Sequence, residues 1–149
     1  MEFRETEEQG MIREMVRGFA EEVLAPTCLK RDRDQIAPIN EWLEFCEKTG
    51  LQGITIPEEF GGSPVDDVSE AIIIEELARV DPSFSVMYCV HVGLCSMTIA
   101  LHGNNEQKKK YLTPLASGAK LGCFGQSMPG QPGSGGGRRR LASRVRTSR

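Results

Sequence analysis

From Phe84 to Leu101 the chain carries no Asp, Glu, Lys or Arg. A run of that length is stable in two places, inside a bundle of helices or across a bilayer. It holds His91, Gly93 and several Ser and Thr, and no basic residue flanks it closely. We read it as a buried helix rather than a membrane span. A helix apolar nearly all round is central, so its neighbours must be amphipathic helices.

Those neighbours are legible. Met11, Ile12, Met15, Val16, Phe19, Ala20, Val23 and Leu24 recur at three- and four-residue steps and predict a first helix that Ala25-Pro26 ends. Lys30 to Gln35 reads as a charged loop. Pro38 opens a second helix carrying Trp42, Leu43, Phe45 and Cys46, capped by Gly50. Ile54-Thr55-Ile56 is either a very short strand or a packed connector. Glu58 to Pro64 is a turn-rich loop around Gly61-Gly62. A third helix spans about Asp66 to Val80, stopped by Asp81-Pro82, and Ser83 or Ser85 can cap the apolar helix that follows. Asn104 or Asn105 starts a short polar helix that Pro114 and Gly118 break. Lys120 to Gln126 alternates weakly and reads as a strand.

Five cysteines, at 28, 46, 89, 95 and 123, include no C-x-x-C pair. An odd number at irregular spacing argues against a disulfide framework and against zinc, and fits a reducing compartment. The acidic start MEFRETEEQG has neither a signal-peptide nor a transit-peptide pattern, so the expected location is cytoplasmic. The net charge of −3 hides six of the twelve arginines in the last twelve residues; without them the body carries −9. Gly135 to Arg149 is expected to be a disordered Gly/Arg-rich tail.

Most polar residues have plain structural readings. His91 on an apolar helix is a core histidine with satisfied ring nitrogens. Glu75 and Glu76 are adjacent on a helix, about 100° apart, and cannot share a site as an acid–base pair. Lys108 to Lys110 form a solvated face near a helix C-terminus. Gly61-Gly62 is a tight turn. No Ser-His-Asp, Cys-His or phosphate-loop arrangement is present in the sequence.

Four stretches resemble the acyl-CoA dehydrogenases. Pro57-Glu58-Glu59-Phe60-Gly61-Gly62 is similar to that family's Pro-Glu-x-x-Gly-Gly loop, and Glu75-Glu76-Leu77-Ala78-Arg79 to its Glu-Glu-Leu-Ala helix. Val90-His91-Val92-Gly93-Leu94 resembles its Val-His-x-Ser-Leu segment, with Gly93 in place of Ser. Gly103 to Leu112 looks like its Gly-x-x-x-Gln-Lys-x-x-Tyr-Leu turn and helix. The order and separations match over residues 5 to 126.

The resemblance implies an all-α bundle, the family's N-terminal helical domain (residues 1–118), then the start of a middle β-domain (119–134) whose first strand alone is present. It implies FAD as cofactor, an acyl-CoA thioester as substrate, electron-transfer flavoprotein as partner and a homo-oligomer when intact. In the family's chemistry a carboxylate removes the α-proton and the β-hydrogen leaves as hydride to the flavin. That base belongs to the C-terminal part, so no catalytic residue is expected here, and turnover by this chain alone is expected to be negligible. By position, Phe124, Gln126 and Ser127 would meet the flavin, Ser134 the acyl-CoA, and Val86, Met87 and Val90 the acyl-chain tunnel. At the family's Thr-Glu-Pro-Gly-Ala-Gly-Ser-Asp landmark this chain has Met128 for Glu and Gly135 for Asp. Two other readings stand beside this one. The chain could be a non-enzymatic helical bundle that self-associates or binds homologous subunits, or a helical module whose Arg tail binds nucleic acid.

Overall fold

Thr6 begins the first helix. Its hydroxyl accepts from the Gln9 amide while the Gln9 side chain returns to the Thr6 amide, so two otherwise orphaned donors are satisfied. In the computed structural model, which describes residues 4–125, helix α1 spans Glu7–Phe19 and continues as a π-helical turn, Ala20–Leu24. Ile12, Val16, Phe19, Ala20 and Leu24 point inward. Met11 and Met15, expected on the same face, are 58% and 46% exposed because they flank the buried stripe.

The expected charged loop is a helix. α2 spans Cys28–Asp34, ended by Gln35 in the left-handed conformation (φ 55°). The charges that look loop-like in sequence fasten it. Arg31 is buried, with its guanidinium on Glu41 at 2.6 Å and on Asp81. A desolvated arginine persists only where such partners meet its fork.

Helix α3, Ile39–Thr49, follows Pro38 and ends at Gly50 (φ 67°), as the sequence predicts. Ile54-Thr55-Ile56 is the packed connector, not a strand. Ile54 and Ile56 are buried after a 3₁₀ turn at Leu51–Gly53. The motif loop folds back on this connector: Ser63 donates to the Gly53 carbonyl (3.1 Å) and Val65 to that of Ile54 (3.2 Å). Gly61 has φ 87°, and a Cβ on Gly62 would lie 1.8 Å from the Ile56 carbonyl oxygen. Backbone must move to admit it, so Gly62→Ala should cost about 2 kcal/mol in a urea titration; an unchanged midpoint would show that the loop yields freely to a methyl group.

Helix α4, Asp67–Val80, starts at Asp66, whose carboxylate accepts from the Val68 and Ser69 amides. Asp81, rather than Ser83 or Ser85, caps helix α5, Pro82–Cys89. Its carboxylate accepts from the Ser83 and Phe84 amides, with Pro82 in the first turn, where a missing N–H is harmless. The rod continues through a π-helical segment, Val90–Ser96, into α6, Met97–His102, and stops at Gly103. α7, Asn105–Ala116, is capped by Asn104 and Gln107 as a reciprocal pair. Pro114 lies inside α7 rather than breaking it; so near the end, the lost amide interrupts only the last turn.

α4 packs between α1 and α5, and α7 lies across α6 and the connector. Phe19, Trp42, Phe45, Phe84 and Tyr88 form the aromatic heart of the main core, for example Phe19–Phe45 at 5.2 Å and edge-on. Ile56, Leu112, Leu115 and Ala116 make a second, smaller core.

The central rod is buried on one side only. Pro82–His102 is 21 residues long with mean hydropathy 1.7, enough by length and composition to cross a membrane. Here Phe84, Tyr88, His91 and Val92 are buried in the bundle, while Val86, Leu94, Met97 and Leu101 remain exposed. The expected strand is also missing: among the described residues no strand is present, and 121–125 has no regular structure. A weak alternation becomes a strand only when a neighbouring edge supplies ladder bonds.

Candidate functional site

Val86 and Val90 stand one helical turn apart. Val86 is 62% exposed and Val90 half-buried, whereas Met87 packs partly against the main core. The structure therefore separates the three tunnel candidates: Val86 lies outward and Met87 leans inward. Leu94, Met97 and Leu101 extend the apolar surface along the same rod. An open cleft of about 360 Å³, lined by Thr98, Ile99, His102, Gly103, Gln107 and Tyr111, lies at its far end. Gly103, Gln107 and Tyr111 are the fixed positions of the Gly-x-x-x-Gln-Lys-x-x-Tyr-Leu stretch, though nothing in the sequence shows that they line a cleft.

His91 is fully buried, beside Trp42 with ring centroids 4.6 Å apart. Its Nδ1 accepts from the Gly122 amide at 2.9 Å, and its Nε2 faces the Gln52 carbonyl at 3.1 Å. An N–H on one side and a carbonyl on the other fix the neutral tautomer with the proton on Nε2. Burial pushes its pKa down to about 4, against the pull of the Gln52 and Leu115 carbonyls. The core-histidine reading is the one the geometry gives, with both nitrogens partnered.

The two glutamates are not an acid–base pair, although both bind the Arg13 guanidinium. Glu75 is exposed and pairs with Arg13 at 3.1 Å, while Glu76 is 2% exposed and bound by Arg13 (2.6 Å), Arg17 (2.8 Å) and Arg79 (3.2 Å). The Arg17 hydrogen bond leads in holding Glu76 down to about 2, outweighing burial. A carboxylate so tightly held ionised is a poor proton acceptor. Glu70 differs: burial raises its pKa, and its oxygen lies 4.0 Å from where a Cβ on Gly93 would sit. Glu70 has no signature in the sequence, because its only signal is this packing. Burial also raises Cys46 to about 11 and lifts Cys89 and Cys95, so these thiols are not poised as thiolates.

Of the expected cofactor contacts, Phe124 is 44% exposed and offers an open apolar face. Gln126, Ser127 and Ser134 lie outside the described residues, as does the Gly135–Arg149 tail. An open apolar face is one part of what holding a flavin ring requires, and polar partners must complete it. Gly122 ties this segment to the helix of Val90. It is buried, and a Cβ there would meet the Cys95 sulfur at 2.7 Å.

The family model described as "Acyl-CoA dehydrogenase, N-terminal domain" matches residues 6–119. The short-chain specific acyl-CoA dehydrogenase of Clostridium acetobutylicum is 39% identical over 129 residues, covering 87% of this chain and 34% of that protein. A chain in the solved structure of the electron transferring flavoprotein of Acidaminococcus fermentans superimposes with TM-score 0.80 at 40% identity, covering 87% of this chain and 34% of that one. The acyl-CoA dehydrogenase of Bacillus anthracis complexed with FAD gives TM-score 0.74 at 35% identity, covering 86% and 22%. This chain thus spans about a third of the length of the curated relative. Its motifs, its helices and these likenesses agree, and the chain belongs to the acyl-CoA dehydrogenase family, carrying its N-terminal domain.

Proposed function

We propose that residues 6–119 serve an FAD-dependent acyl-CoA dehydrogenase, which removes hydrogens from the α and β carbons of an acyl-CoA thioester. The observation that carries the reading is the 39% identity to the short-chain enzyme over 87% of this chain. FAD would accept the hydride; this chain would supply helix packing, the apolar wall at Val86 and Val90, and the flavin-facing segment from Phe124, with Gln126, Ser127 and, for the acyl-CoA, Ser134. An electron-transfer flavoprotein as electron acceptor and a homo-oligomeric enzyme belong to the same reading. In this reading the base lies outside residues 1–149. We therefore assign negligible turnover to residues 1–149 alone.

A chimera tests this. Residues 6–119 replace the matching segment of the C. acetobutylicum enzyme. The expected product is yellow and reduces a dye with a short acyl-CoA, while the 149-residue chain alone does not. A folded, flavin-loaded chimera without dye reduction would sink the enzymatic reading. Turnover by the chain alone would overturn the assignment of inactivity.

One observation favours a binding role beside the catalytic one. The exposed row Val86, Leu94, Met97 and Leu101 is a ready surface for the rest of a homologous subunit.

A further inference from the structure

The segment after α7 leaves the bundle through a narrow place. Lys120 donates to the Pro114 carbonyl (3.0 Å), which turns the chain back over the end of α7. Leu121 then packs against the main core, and Gly122 is buried between His91 and Cys95. One residue later the chain is exposed, at Cys123, Phe124 and Gly125. The direction in which Phe124 departs is therefore set at Gly122.

Two independent features fix Gly122. The first is space. A Cβ would lie 2.7 Å from the Cys95 sulfur, 2.8 Å from the Cys95 Cβ and 3.4 Å from His91 Nδ1, so only glycine lets the backbone come this close. The second is the hydrogen bond from the Gly122 amide to His91 Nδ1, in the buried interior. The same ring bonds the Gln52 carbonyl, and Gln52 itself donates from Nε2 to the Ala116 carbonyl at 2.8 Å. His91 thus joins three pieces distant in sequence: the π-helical segment, the connector after α3, and the exit after α7.

The π-helical geometry around His91 belongs to this arrangement. A wider turn shifts the register of the side chains that follow it. Val90–Ser96 places His91, Val92 and Ser96 inward while Leu94 faces out.

We propose that His91 is a positioning residue: its neutral ring clamps the Gly122 amide and so aims the segment after α7, with Phe124, away from the bundle. What the clamp aims at rests on the flavin reading above. The clamp itself does not, so the two can fail separately.

The test uses the full 149-residue chain, labelled with ¹⁵N, and isosteric substitutions. Asn in place of His presents an acceptor near the position of Nδ1, whereas Gln presents a donor near that of Nε2. In the unsubstituted protein the ring nitrogens should report an unprotonated Nδ1 and a protonated Nε2, and the Gly122 amide should exchange slowly with deuterium. His91→Gln should speed exchange at Gly122 roughly tenfold while amides in α1 and α4 hold their rates. His91→Asn should restore much of the protection at Gly122. The opposite or an averaged tautomer in the unsubstituted protein would overturn the clamp with no variant required. Unchanged exchange at Gly122 in His91→Gln would overturn it too. So would a uniform rise across all helices, which would reduce His91 to core filling. Separately, a chimera extended to residues 6–125, so that it carries Gly122 and Phe124, should lose FAD affinity on His91→Gln; unchanged affinity would leave the clamp standing and remove its bearing on the flavin.

Discussion

Glu76→Ala should lower unfolding stability by about 3 kcal/mol, through loss of a buried carboxylate's hydrogen bonds to three guanidinium groups. Glu76 is 2% exposed, and one carboxylate answers Arg13, Arg17 and Arg79 together. Those arginines come from α1 and the end of α4, the pair of helices whose contact holds the bundle's front face. Without the carboxylate, three guanidinium groups crowd one site. Arg17 and Arg79 are about half exposed, and Arg79 keeps Glu21; Arg13, at 22% exposed, keeps Glu5 at 2.5 Å and Glu75 at 3.1 Å, so no guanidinium is left buried and unpaired. Urea unfolding followed by circular dichroism measures the effect, and a loss below about 1 kcal/mol would show that the cluster behaves as an ordinary surface pair.

Acid should cost about 3 kcal/mol through His91 alone, from a pKa lowered from 6.5 to about 4. In the native protein the ring stays neutral across that interval, while in the unfolded chain it takes up a proton near its ordinary value. The unfolded state therefore binds more protons, and stability falls as pH falls through the window from 6.5 to about 4. Below that window the native ring is protonated as well and the loss levels off. Glu76 acts later. Its contribution is complete above 4.5 and is lost as pH falls from there toward about 2. Asp81, also held below its usual range, adds to that later loss, whereas Glu70, raised by burial above its ordinary 4.5, acts within the first window and partly offsets the His91 loss there. Urea midpoints measured from pH 7.5 down to 4.5 test the first window. A flat profile there would show that His91 is not held neutral. Replacing His91 with Gln should flatten the slope, and Glu76→Ala should leave it intact.

Much of the bundle was legible because the signals were local. Caps at Asp66 and Asn104, Gly50 after α3, and the three- and four-residue spacing in α1 state their own structure. The misreadings share a cause, which is that a partner far along the chain decided the outcome. Lys30 to Gln35 looks like a loop until Arg31 finds Asp81, fifty residues away. The apolar rod looked central because composition cannot say which side a neighbour covers. Residues 121–125 alternate, but no adjacent strand among the described residues pairs with them.

The site follows the same division. The motif residues were visible in sequence, yet the structure gives most of them fastening roles: Gly62 admits the Ile56 carbonyl, Glu76 gathers arginines, and His91 bridges Gln52 and Gly122. Gly122 drew no attention, because one glycine in a plain stretch has no local signature until His91 and Cys95 close around it.

The chain has a single tryptophan, Trp42, and its indole meets the His91 ring edge-on at 4.6 Å. The molecule therefore carries its own optical probe at the clamp. A charged imidazolium beside an indole quenches its emission, and a neutral one does so far less. Fluorescence excited in the tryptophan band thus reads one ring in one place, with no dye or label attached, and separates protonation of His91 from events elsewhere in the bundle.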